Sequence, residues 1–281
     1  MLYSRTVGQL NVWIVVPTYN EADNLGIMVE TLLDRLDWTP ATPVPPAPVP
    51  EAVAARSSKE TAAESAPPAW LAVRPNVSVL VVDDGSPDGT GELADRLSRE
   101  RDGRVQVLHR AEKLGLGSAY IAGFSLALER GADVVFEMDA DFSHSPNYLP
   151  QMLHLLEGCD VVVGSRWVPG GKLDERWEMW RYLLSKYANL YARLVTGLDV
   201  YDTTAGFKAW RGDALRKLPL HRVRSDGYAF QIEMAVASQR LGLRVTELPI
   251  YFGERERGES KMSWRIIVEA MWRVWQIRSR W

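Results

Sequence analysis

The chain has 281 residues, of which 46% are hydrophobic, so it can bury a sizeable core as one large domain or two small ones. Its 33 basic residues nearly balance its 36 acidic ones, which excludes the global positive field expected of a nucleic-acid-binding protein. The single cysteine, Cys159, excludes a disulfide framework within the chain and favours a reducing compartment. Composition therefore predicts a globular, soluble protein with no nucleic-acid partner.

Apolar runs rich in β-branched residues recur along the first half of the chain and predict strands buried on both faces of a parallel sheet. The runs are residues 11–16, 77–82, 105–108, 134–138 and 161–163. Helical periodicity separates them over residues 25–36, up to Leu97 and up to about Arg130, as in repeated βα units. The first run stops at Pro17, too soon for a signal peptide or a membrane span, so we expect a cytoplasmic protein.

Residues 39–75 break this pattern, because they hold nine of the sixteen prolines and show no sustained periodicity. We interpret them as a disordered insertion looped out of the domain. The entropic cost of closing such a loop grows only logarithmically with its length, so an insertion here is thermodynamically tolerable. The sequence assigns it no function.

The second half of the chain predicts a helix over residues 177–195, a loop that enters a strand over 202–210, a helix over 227–241 and a strand over 245–252. The first of these helices carries aromatic residues and leucines at helical spacing. A core-facing amphipathic helix is the simpler interpretation of that spacing. A membrane-facing helix is the alternative.

The end of the chain is basic and rich in tryptophan. From Lys261 onward there are five basic residues and one acidic residue. On a helical wheel the polar face has Arg265, Glu269, Arg273, Gln276 and Arg280, and the apolar face has Ile267, Val268, Met271, Val274 and Trp275. This pattern is typical of a helix that lies on an anionic membrane, and a helix docked on the domain fits it equally well.

Polar clusters follow four of the predicted strands, at the point where each strand ends. The clusters are residues 17–21, 83–86, 139–141 and 165–166. The carboxyl ends of parallel strands in a right-handed, doubly wound sheet lie along one edge, where ligands bind. The sequence therefore predicts a single cleft lined by all four clusters.

Asp139 and Asp141 flank Ala140 at the end of the fourth predicted strand. Alternate side chains of a strand share a face, so both carboxylates could hold one divalent cation, whereas a solvated turn is the simpler interpretation of an isolated pair. Asp83 and Asp84 would place a second acidic cluster in the same cleft. The two clusters would repel each other unless a cation compensates them, and a metal-bound diphosphate would do so.

With these residues assembled, the chain resembles the dolichol- and polyprenol-phosphate mannose synthases, which are family 2 glycosyltransferases with a GT-A fold. The motifs that carry the resemblance are PTYNE (17–21), VDDGSPDGT (82–90), KLGLGSAY (113–120), MDADFSH (138–144), GSRW (164–167), TAGFK (204–208), GYAFQIEM (227–234) and GESKMS (258–263). The first two and the acidic motif recur widely in family 2, whereas the last two are more specific to the polyprenol-phosphate branch. Nearly everything except residues 39–75 is covered.

The resemblance implies a role for each matching residue. The guanine and ribose end of GDP-mannose would be held by Pro17, Tyr19, Glu21, Val82 and Asp84. Mg²⁺ or Mn²⁺ would be bound by Asp139, the Ala140 backbone and Asp141, and would in turn hold the diphosphate. Donor or acceptor phosphates would contact Arg166, Arg255 and Lys261, with Arg181 as a further candidate for the acceptor phosphate. The candidate catalytic residues are Asp141 and Arg166.

The implied protein is an α/β GT-A enzyme, with a Rossmann-like, mostly parallel central sheet flanked by helices over residues 1–263 and an amphipathic helical segment over 264–281. The implied reaction is the inverting transfer of mannose from GDP-mannose to the phosphate of a polyprenol or dolichol. An ionised phosphate needs no strong general base, so we expect none of the four histidines to be essential. The protein would lie peripherally on the cytoplasmic face of a membrane, with an anchoring partner protein as an option.

The chain departs from the family pattern at Ser143, where some relatives place a glutamine near the metal, and several relatives append membrane-spanning helices. A UDP-glucose or other sugar-nucleotide transferase on the same fold is the main alternative. A non-enzymatic, receiver-like domain would share the acidic pocket of Asp83 and Asp84, but the second half of the chain disfavours it. A redox Rossmann enzyme is disfavoured because no G-x-G-x-x-G follows the first strand.

Overall fold

The structure is a computed structural model that describes residues 9–36, 38, 75–253 and 264–281, with residues 35 and 264–270 described by their backbone alone. Two of the predicted site residues, Arg255 and Lys261, therefore lie outside the described residues. Nearly all of the predicted insertion over 39–75 also lies outside them, as does the junction predicted at residue 263.

Strands and helices alternate along most of the described chain, as the repeated βα pattern predicts. The strands are β1 (Asn11–Thr18), β2 (Asn76–Asp83), β3 (Val105–His109), β4 (Val134–Glu137), β5 (Val161–Ser165), β6 (Lys172–Leu173), β7 (Lys208–Arg211), β8 (Val245–Pro249) and β9 (Tyr251–Phe252). The α-helices are α1 (Ala22–Glu30), which continues into a π-helical turn (Thr31–Arg35), α2 (Thr90–Glu100), α3 (Leu116–Glu129), α4 (Leu149–Leu155), α5 (Met179–Thr196), α6 (Gly212–Lys217), α7 (Gly227–Arg240) and α8 (Trp264–Arg280).

The central sheet has seven strands in the order β3-β2-β1-β4-β7-β5-β8. Neighbouring strands are parallel except at β7, which is antiparallel to both β4 and β5, so the prediction of a mostly parallel sheet is confirmed. The chain passes from β1 to β2 and β3 on one side and returns to β4 on the other side of β1. Ligands bind at such a reversal of strand order, outside the carboxyl ends of the strands.

The apolar sequence of β1 reflects burial on both faces. Val12, Ile14 and Val16 belong to the core between the sheet and helices α1, α2 and α4, whereas Trp13 and Val15 belong to the core under α3 and α7. All five side chains are at most 5% exposed. Because successive strand residues point to opposite faces, helices on both sides bury the strand completely and fix its register against β2 and β4.

Two strand predictions were wrong in detail. The predicted strand over 245–252 is two strands, β8 and β9, which belong to different sheets. The N–H of Ile250 still donates to Ser165 O of β5 at 3.0 Å, and the next residues, Tyr251 and Phe252, pair with β6 instead. The fourth strand ends at Glu137, so Met138 and the acidic residues after it lie beyond β4.

Helix α5 exposes an apolar face. Its buried residues are Asn189, Ala192, Val195 and Thr196, all in its C-terminal half. Its exposed apolar residues are 41–73% exposed and, from Trp180 onward, recur every three or four positions: Met179, Trp180, Leu183, Tyr187, Leu190 and Leu194. The core-facing interpretation of this helix is therefore wrong for most of its length. Among the described helices, none combines the length and apolarity needed to cross a membrane.

Helix α8 packs on α5 and α7 through the buried side chains of Val274 and Ile277. Met271 and Trp275, which the helical wheel placed on the same face as Val274, are instead 46% and 50% exposed. The docked interpretation is thus confirmed for the described part of the helix, and an aromatic face that includes Trp272 points to solvent. The side chains of Arg265, Ile267, Val268 and Glu269 lie outside the description.

Close packing of α3 on the sheet leads to a stability prediction at Gly123. A Cβ at this position would lie 2.4 Å from Val15 Cγ1 and 3.0 Å from Val82 Cγ2. We expect Gly123→Ala to lower the free energy of unfolding by about 1–3 kcal/mol, because the helix must move off the sheet.

Gly26 in α1 is the matched control, because among the described residues no neighbouring atom lies within 4 Å of a Cβ added there. Gly26→Ala should raise the free energy of unfolding by about 0.5–1 kcal/mol through its better helix propensity. Urea unfolding followed by circular dichroism measures both variants. Destabilisation of equal size by the two substitutions would contradict the packing explanation.

Candidate active site

The acidic pair lies in a turn directly after β4, and we call residues 139–143 the acidic turn. Asp141 is 6% exposed, and its Oδ1 accepts hydrogen bonds from Ser143 N at 3.0 Å and from Ser143 Oγ at 2.6 Å. Phe142 closes the turn in the left-handed region, with φ +59°. Strand alternation therefore does not position these carboxylates, since β4 ends at Glu137. Ser143 orients Asp141.

Asp139 is more exposed than Asp141, and a buried tyrosine of α3 orients it. Its side chain is 30% exposed, and its Oδ1 accepts a hydrogen bond from Tyr120 OH at 3.1 Å. Tyr120 is fully buried in α3, and burial together with the charge of Asp139 raises its pKa well above the usual value, so the phenol stays protonated. The backbone N–H of Asp139 donates to His144 Nδ1 at 3.4 Å.

His144 supports the acidic turn as a neutral ring. It is 3% exposed, it stacks on Phe207 with ring centroids 5.0 Å apart, and it meets Phe252 edge-on at 5.3 Å. Burial lowers its pKa to about 4, so the imidazole is uncharged near pH 7 and Nδ1 can accept a hydrogen bond. That the reaction needs no catalytic histidine stays a prediction.

A buried polar layer of Glu137, Lys208 and Gln231 lies next to the acidic turn, and each of its side chains is at most 2% exposed. Gln231 Nε2 donates to Glu137, Gln231 Oε1 accepts from Lys208, and Lys208 Nζ lies 3.7 Å from Glu137 Oε2. A Cβ added at Gly206 would lie within 4 Å of both Gln231 and Asp139, which shows how close the layer is to the turn.

Burial sets the protonation of this layer. It raises the pKa of Glu137 to about 6 although Lys208 opposes the shift, and it lowers the pKa of Lys208 although Glu137 opposes that shift. No role was assigned to Lys208 or Gln231 from the sequence. The lysine at the end of TAGFK could have predicted such a layer, because a charge in a buried central strand requires a partner.

The end of β1 is tied to the start of α2 where the nucleoside is predicted to bind. Glu21 donates its backbone N–H to Thr90 Oγ1 at 2.9 Å, and its Oε2 accepts from Asn24 Nδ2 at 2.8 Å. Lys113 covers Tyr19, with its Nζ 3.6 Å from the ring centroid, a cation–π geometry. Lys113 thus adds a cation to this end of the cleft, a role that was not predicted for it.

The glycine turn, residues 114–117, directs its backbone N–H groups at carboxylates of the protein. Asp84 Oδ2 accepts from two of them at 3.2 Å each, and Asp226 Oδ1 accepts from that of Gly117 at 2.6 Å. Gly115 has φ +100°, and a Cβ there would lie 2.2 Å from Asp226 Oδ2. The turn therefore binds two aspartates of the protein. This agrees with its sequence, which lacks the spacing of a phosphate-binding loop.

Several predicted donor residues are less accessible than the motifs indicate. Val82 is fully buried and faces Gly123, so any contact with a donor has to be through its backbone. Ala140 is 3% exposed, in agreement with a backbone role. Asp84 is 4% exposed, and Arg110 Nη1 lies 2.9 Å from its Oδ1. Its carboxylate therefore holds the glycine turn in place, in addition to any contact that it makes with a ligand.

Arg166 follows β5 and is fixed by a buried ion pair. Its Nε and Nη2 donate to the two carboxylate oxygens of Asp202 at 2.7 and 2.6 Å, and Nη2 also donates to Thr204 Oγ1 at 2.8 Å. Burial alone would lower the pKa of Arg166, but Asp202 raises it more, so the guanidinium keeps its charge. The pair holds a cation in place at the edge of the cleft.

An open cavity of about 530 Å³ adjoins Arg166, and we call it the basic cavity. Its lining combines three cations and three aromatic rings with two acidic residues, namely Arg166, Lys172, Lys186, Trp167, Trp177, Tyr182, Asp174 and Glu175. Arg181 stacks on Trp177 with its Cζ 4.6 Å from the ring centroid. Phe252 contacts a residue of each region: its ring centroid is 5.2 Å from Arg166 Cζ, which lines this cavity, and 5.3 Å from the ring of His144, which directly follows the acidic turn.

The acidic turn offers hard oxygen ligands for one divalent cation. Within the described residues, no three His, Cys, Asp or Glu side chains are grouped closely enough to hold a metal by themselves. Mg²⁺ is commonly bound through one or two carboxylates, with substrate phosphates and water completing its shell. Asp139 and Asp141 fit a site of that kind, in which a bound diphosphate completes the coordination.

An aspartate pair at the reversal of strand order in a mostly parallel, helix-flanked sheet is the arrangement of a GT-A glycosyltransferase, so the predicted fold class is confirmed. The family model described as glycosyl transferase family 2 matches residues 70–218. The chain belongs to this family.

Two relatives extend over most of the chain. The undecaprenyl-phosphate mannosyltransferase of Micrococcus luteus is 43% identical, over 97% of this chain and 96% of that protein. The polyprenol monophosphomannose synthase of Mycolicibacterium smegmatis is 50% identical, over 73% of this chain and 78% of that protein. The resemblance that the motifs indicated is confirmed.

A solved structure shares the fold at low sequence identity. The mannosyltransferase PcManGT from Pyrobaculum calidifontis, in complex with GDP-Man and Mn2+, aligns with a TM-score of 0.51 and 17% identity. The alignment covers 93% of this chain and 61% of that chain.

Proposed function

We propose that this glycosyltransferase moves mannose from GDP-mannose to the phosphate of a polyprenol, giving a β-linked polyprenyl phosphomannose with inversion. The names of the two relatives, at 43% and 50% identity, support the sugar and the acceptor class. The observation that carries the proposal is the position of Phe252. Its ring contacts both His144, which directly follows the acidic turn suited to a metal-bound diphosphate, and Arg166, which lines the basic cavity suited to a second phosphate.

The donor would lie along the carboxyl ends of β1, β2 and β4. Asp139 and Asp141 would hold Mg²⁺ or Mn²⁺, which when bound neutralises charge on the departing diphosphate. The nucleoside would contact Pro17, Tyr19, Glu21 and Asp84, and the backbone of Val82. The phosphates of donor or acceptor would also contact Arg255 and Lys261, which lie outside the described residues.

The acceptor phosphate would enter the basic cavity. Arg166, which stays charged because of Asp202, would contact it, and Arg181 supplies a second guanidinium beside the same aromatic rings. The acceptor phosphate is already ionised, so its attack on the anomeric carbon needs alignment and charge compensation rather than a strong general base. The contribution of the chain is to hold two anionic substrates in line against their mutual repulsion.

The exposed faces of α5 and α8 would meet the membrane that contains a polyprenyl acceptor. The two helices are in contact, since Tyr191 OH on α5 donates to Met271 O on α8 at 3.1 Å. Trp272 and Trp275 are 66% and 50% exposed on α8, on either side of Arg273. Tryptophan-rich basic helices bind anionic interfaces. We place this peripheral contact on the cytoplasmic face, where an anchoring partner protein could reinforce it.

Replacing both Trp272 and Trp275 with alanine is expected to weaken binding to vesicles that contain phosphatidylglycerol by about tenfold, because two exposed indoles no longer enter the interface. Co-sedimentation with such vesicles measures the effect. Ile27→Ala is the control, since Ile27 is 54% exposed on α1 and does not belong to either helix. Equal binding of the double variant, the control and the wild type would contradict the membrane-facing assignment.

The transfer reaction is tested by incubating the purified protein with radiolabelled GDP-mannose, Mn²⁺ and polyprenyl phosphate, followed by organic extraction. We expect label in the organic phase, suppressed by excess unlabelled GDP-mannose and not by UDP-glucose. Label that remains in the aqueous phase would contradict the acceptor class. Label in the organic phase only when radiolabelled UDP-glucose replaces GDP-mannose would favour the other sugar-nucleotide transferase.

A further inference from the structure

The C-terminal end of α8 is fastened to the middle of α7. Glu233 on α7 is fully buried, and its Oε1 accepts hydrogen bonds from Arg280 Nη1 and, at 3.1 Å, from Trp281 Nε1. Arg222 joins this contact, since its Nη2 donates to Arg280 O at 3.1 Å and its Cζ lies 4.8 Å from the Trp281 ring centroid. This polar contact adds to the apolar docking of α8, since the Trp281 ring also packs against the cluster that contains Val274 and Ile277.

The second oxygen of the same carboxylate holds the loop that precedes α7. Glu233 Oε2 accepts from the backbone N of Arg224 at 3.1 Å and of Ser225 at 2.9 Å. Burial alone would raise the pKa of Glu233, but the hydrogen bonds from Ser225 and Trp281 lower it below the usual value, so the group is charged. One buried carboxylate therefore joins two segments, and loss of either set of donors leaves part of its charge uncompensated.

The loop that precedes α7 contacts the glycine turn. Asp226, the next residue, accepts the backbone N–H of Gly117 through its Oδ1 at 2.6 Å, and a Cβ at Gly117 would lie 2.7 Å from Ser225 O. Lys113, which immediately precedes the glycine turn, covers the ring of Tyr19. Two polar contacts, joined by the short chain segments 224–226 and 113–117, thus connect the end of α8 with Lys113 at the nucleoside end of the cleft.

We propose that Arg280 and Trp281 are positioning residues for the nucleotide donor: through Glu233 they fix residues 224–226, and through Asp226 they fix the glycine turn and Lys113. The nature of the donor rests on the proposed function, whereas the link itself rests on the contacts described. The same helix carries the exposed tryptophan face, so its seating on a membrane would favour the donor-binding geometry. Displacement of α8 would loosen the nucleoside end of the cleft.

Two variants test the link without removing the helix. Arg280→Gln removes the charge-assisted hydrogen bond to Glu233, and Trp281→Phe keeps a ring beside Arg222 while removing the Nε1–H donor. Arg278→Gln is the matched control, because Arg278 lies on the same helix and donates instead to Val195 O at 2.6 Å. The milder Trp281→Phe keeps the test decisive if Arg280→Gln does not fold.

The first measurement is hydrogen exchange by mass spectrometry of the full chain. Exchange over residues 113–120 should become about tenfold faster in Arg280→Gln, less so in Trp281→Phe, and should stay unchanged in β1 and β4. The second is calorimetry with GDP and Mn²⁺. The Kd should rise about tenfold in Arg280→Gln, with a parallel rise in KM for GDP-mannose and little change in kcat, and stay within about twofold in Arg278→Gln.

Unchanged exchange over residues 113–120 would overturn the link whatever the substrate is. Faster exchange with unaltered GDP affinity would overturn the positioning role, as would an equal effect of Arg278→Gln or a uniform acceleration over the whole chain, which marks a merely structural role. If the wild-type protein bound no GDP, the proposed donor would be wrong, and the exchange measurement would still decide the link.

Discussion

Asp141→Ala is expected to lower the rate of mannosyl transfer at least about a hundredfold, because it removes a preorganised anionic ligand where charge develops on the departing diphosphate. The carboxylate is 6% exposed and is already oriented by Ser143. A water molecule in its place would have neither its charge nor its fixed position. Initial rates over a Mn²⁺ titration measure the effect. Wild-type activity should fall to a similar level in EDTA.

Two further variants make this prediction specific. Asp213→Ala removes a half-exposed carboxylate on α6, away from the carboxyl edge of the sheet, and should leave the rate unchanged. Ser143→Ala keeps the backbone N–H donor to Asp141 and loses only the hydroxyl, so its effect should lie between the two. Normal turnover of Asp141→Ala in the presence of chelator would refute the metal assignment.

Lys208→Met should lower the free energy of unfolding by about 3–5 kcal/mol, because it leaves Glu137 without its cationic partner in a fully buried position. Replacing both residues, as Lys208→Met with Glu137→Gln, should recover more than half of this loss, since no buried charge then remains. Urea unfolding of the four proteins of the cycle gives the coupling energy. Lys217→Met, at an exposed position on α6, should change stability by less than about 0.5 kcal/mol.

The loss in Lys208→Met should also depend on pH in a defined direction. Burial raises the pKa of Glu137 to about 6 with Lys208 present, and removal of the lysine should raise it further. A carboxyl whose pKa is higher in the folded state favours folding while it is protonated, and that advantage disappears as the pH rises. The deficit of the variant should therefore grow between pH 6 and pH 8. A deficit that shrinks over this range would contradict the pairing of these two side chains.

The strands of the first half could be predicted because burial on both faces requires continuous apolar runs, which are visible in the local sequence. β2 extends only one residue beyond the predicted run at each end, since a strand covered on both faces requires uninterrupted apolar residues. The place of β7 was not predictable. Its sequence indicates a strand after TAGFK, but only long-range pairing decides that it inserts antiparallel between β4 and β5.

The position of the acidic pair was predicted correctly, but the reason given for the orientation of its side chains was incomplete. The motif placed Asp139 and Asp141 at the edge of the sheet, and the structure agrees. However, Ser143 of the turn orients Asp141 and the buried Tyr120 orients Asp139, not the pleat of a strand. The buried layer could not be found in the same way. Gln231 meets Glu137 across 94 positions of sequence, and no local pattern encodes such a contact.

The ring of Phe252 has a consequence for compounds designed against this enzyme. It is touched by His144 from the side of the acidic turn and by Arg166 from the side of the basic cavity. A bisubstrate inhibitor that couples a nucleoside diphosphate to a lipid phosphonate would bring its tether close to this one phenyl group. An aromatic group in the tether should therefore gain a stacking contact that a plain alkyl spacer lacks.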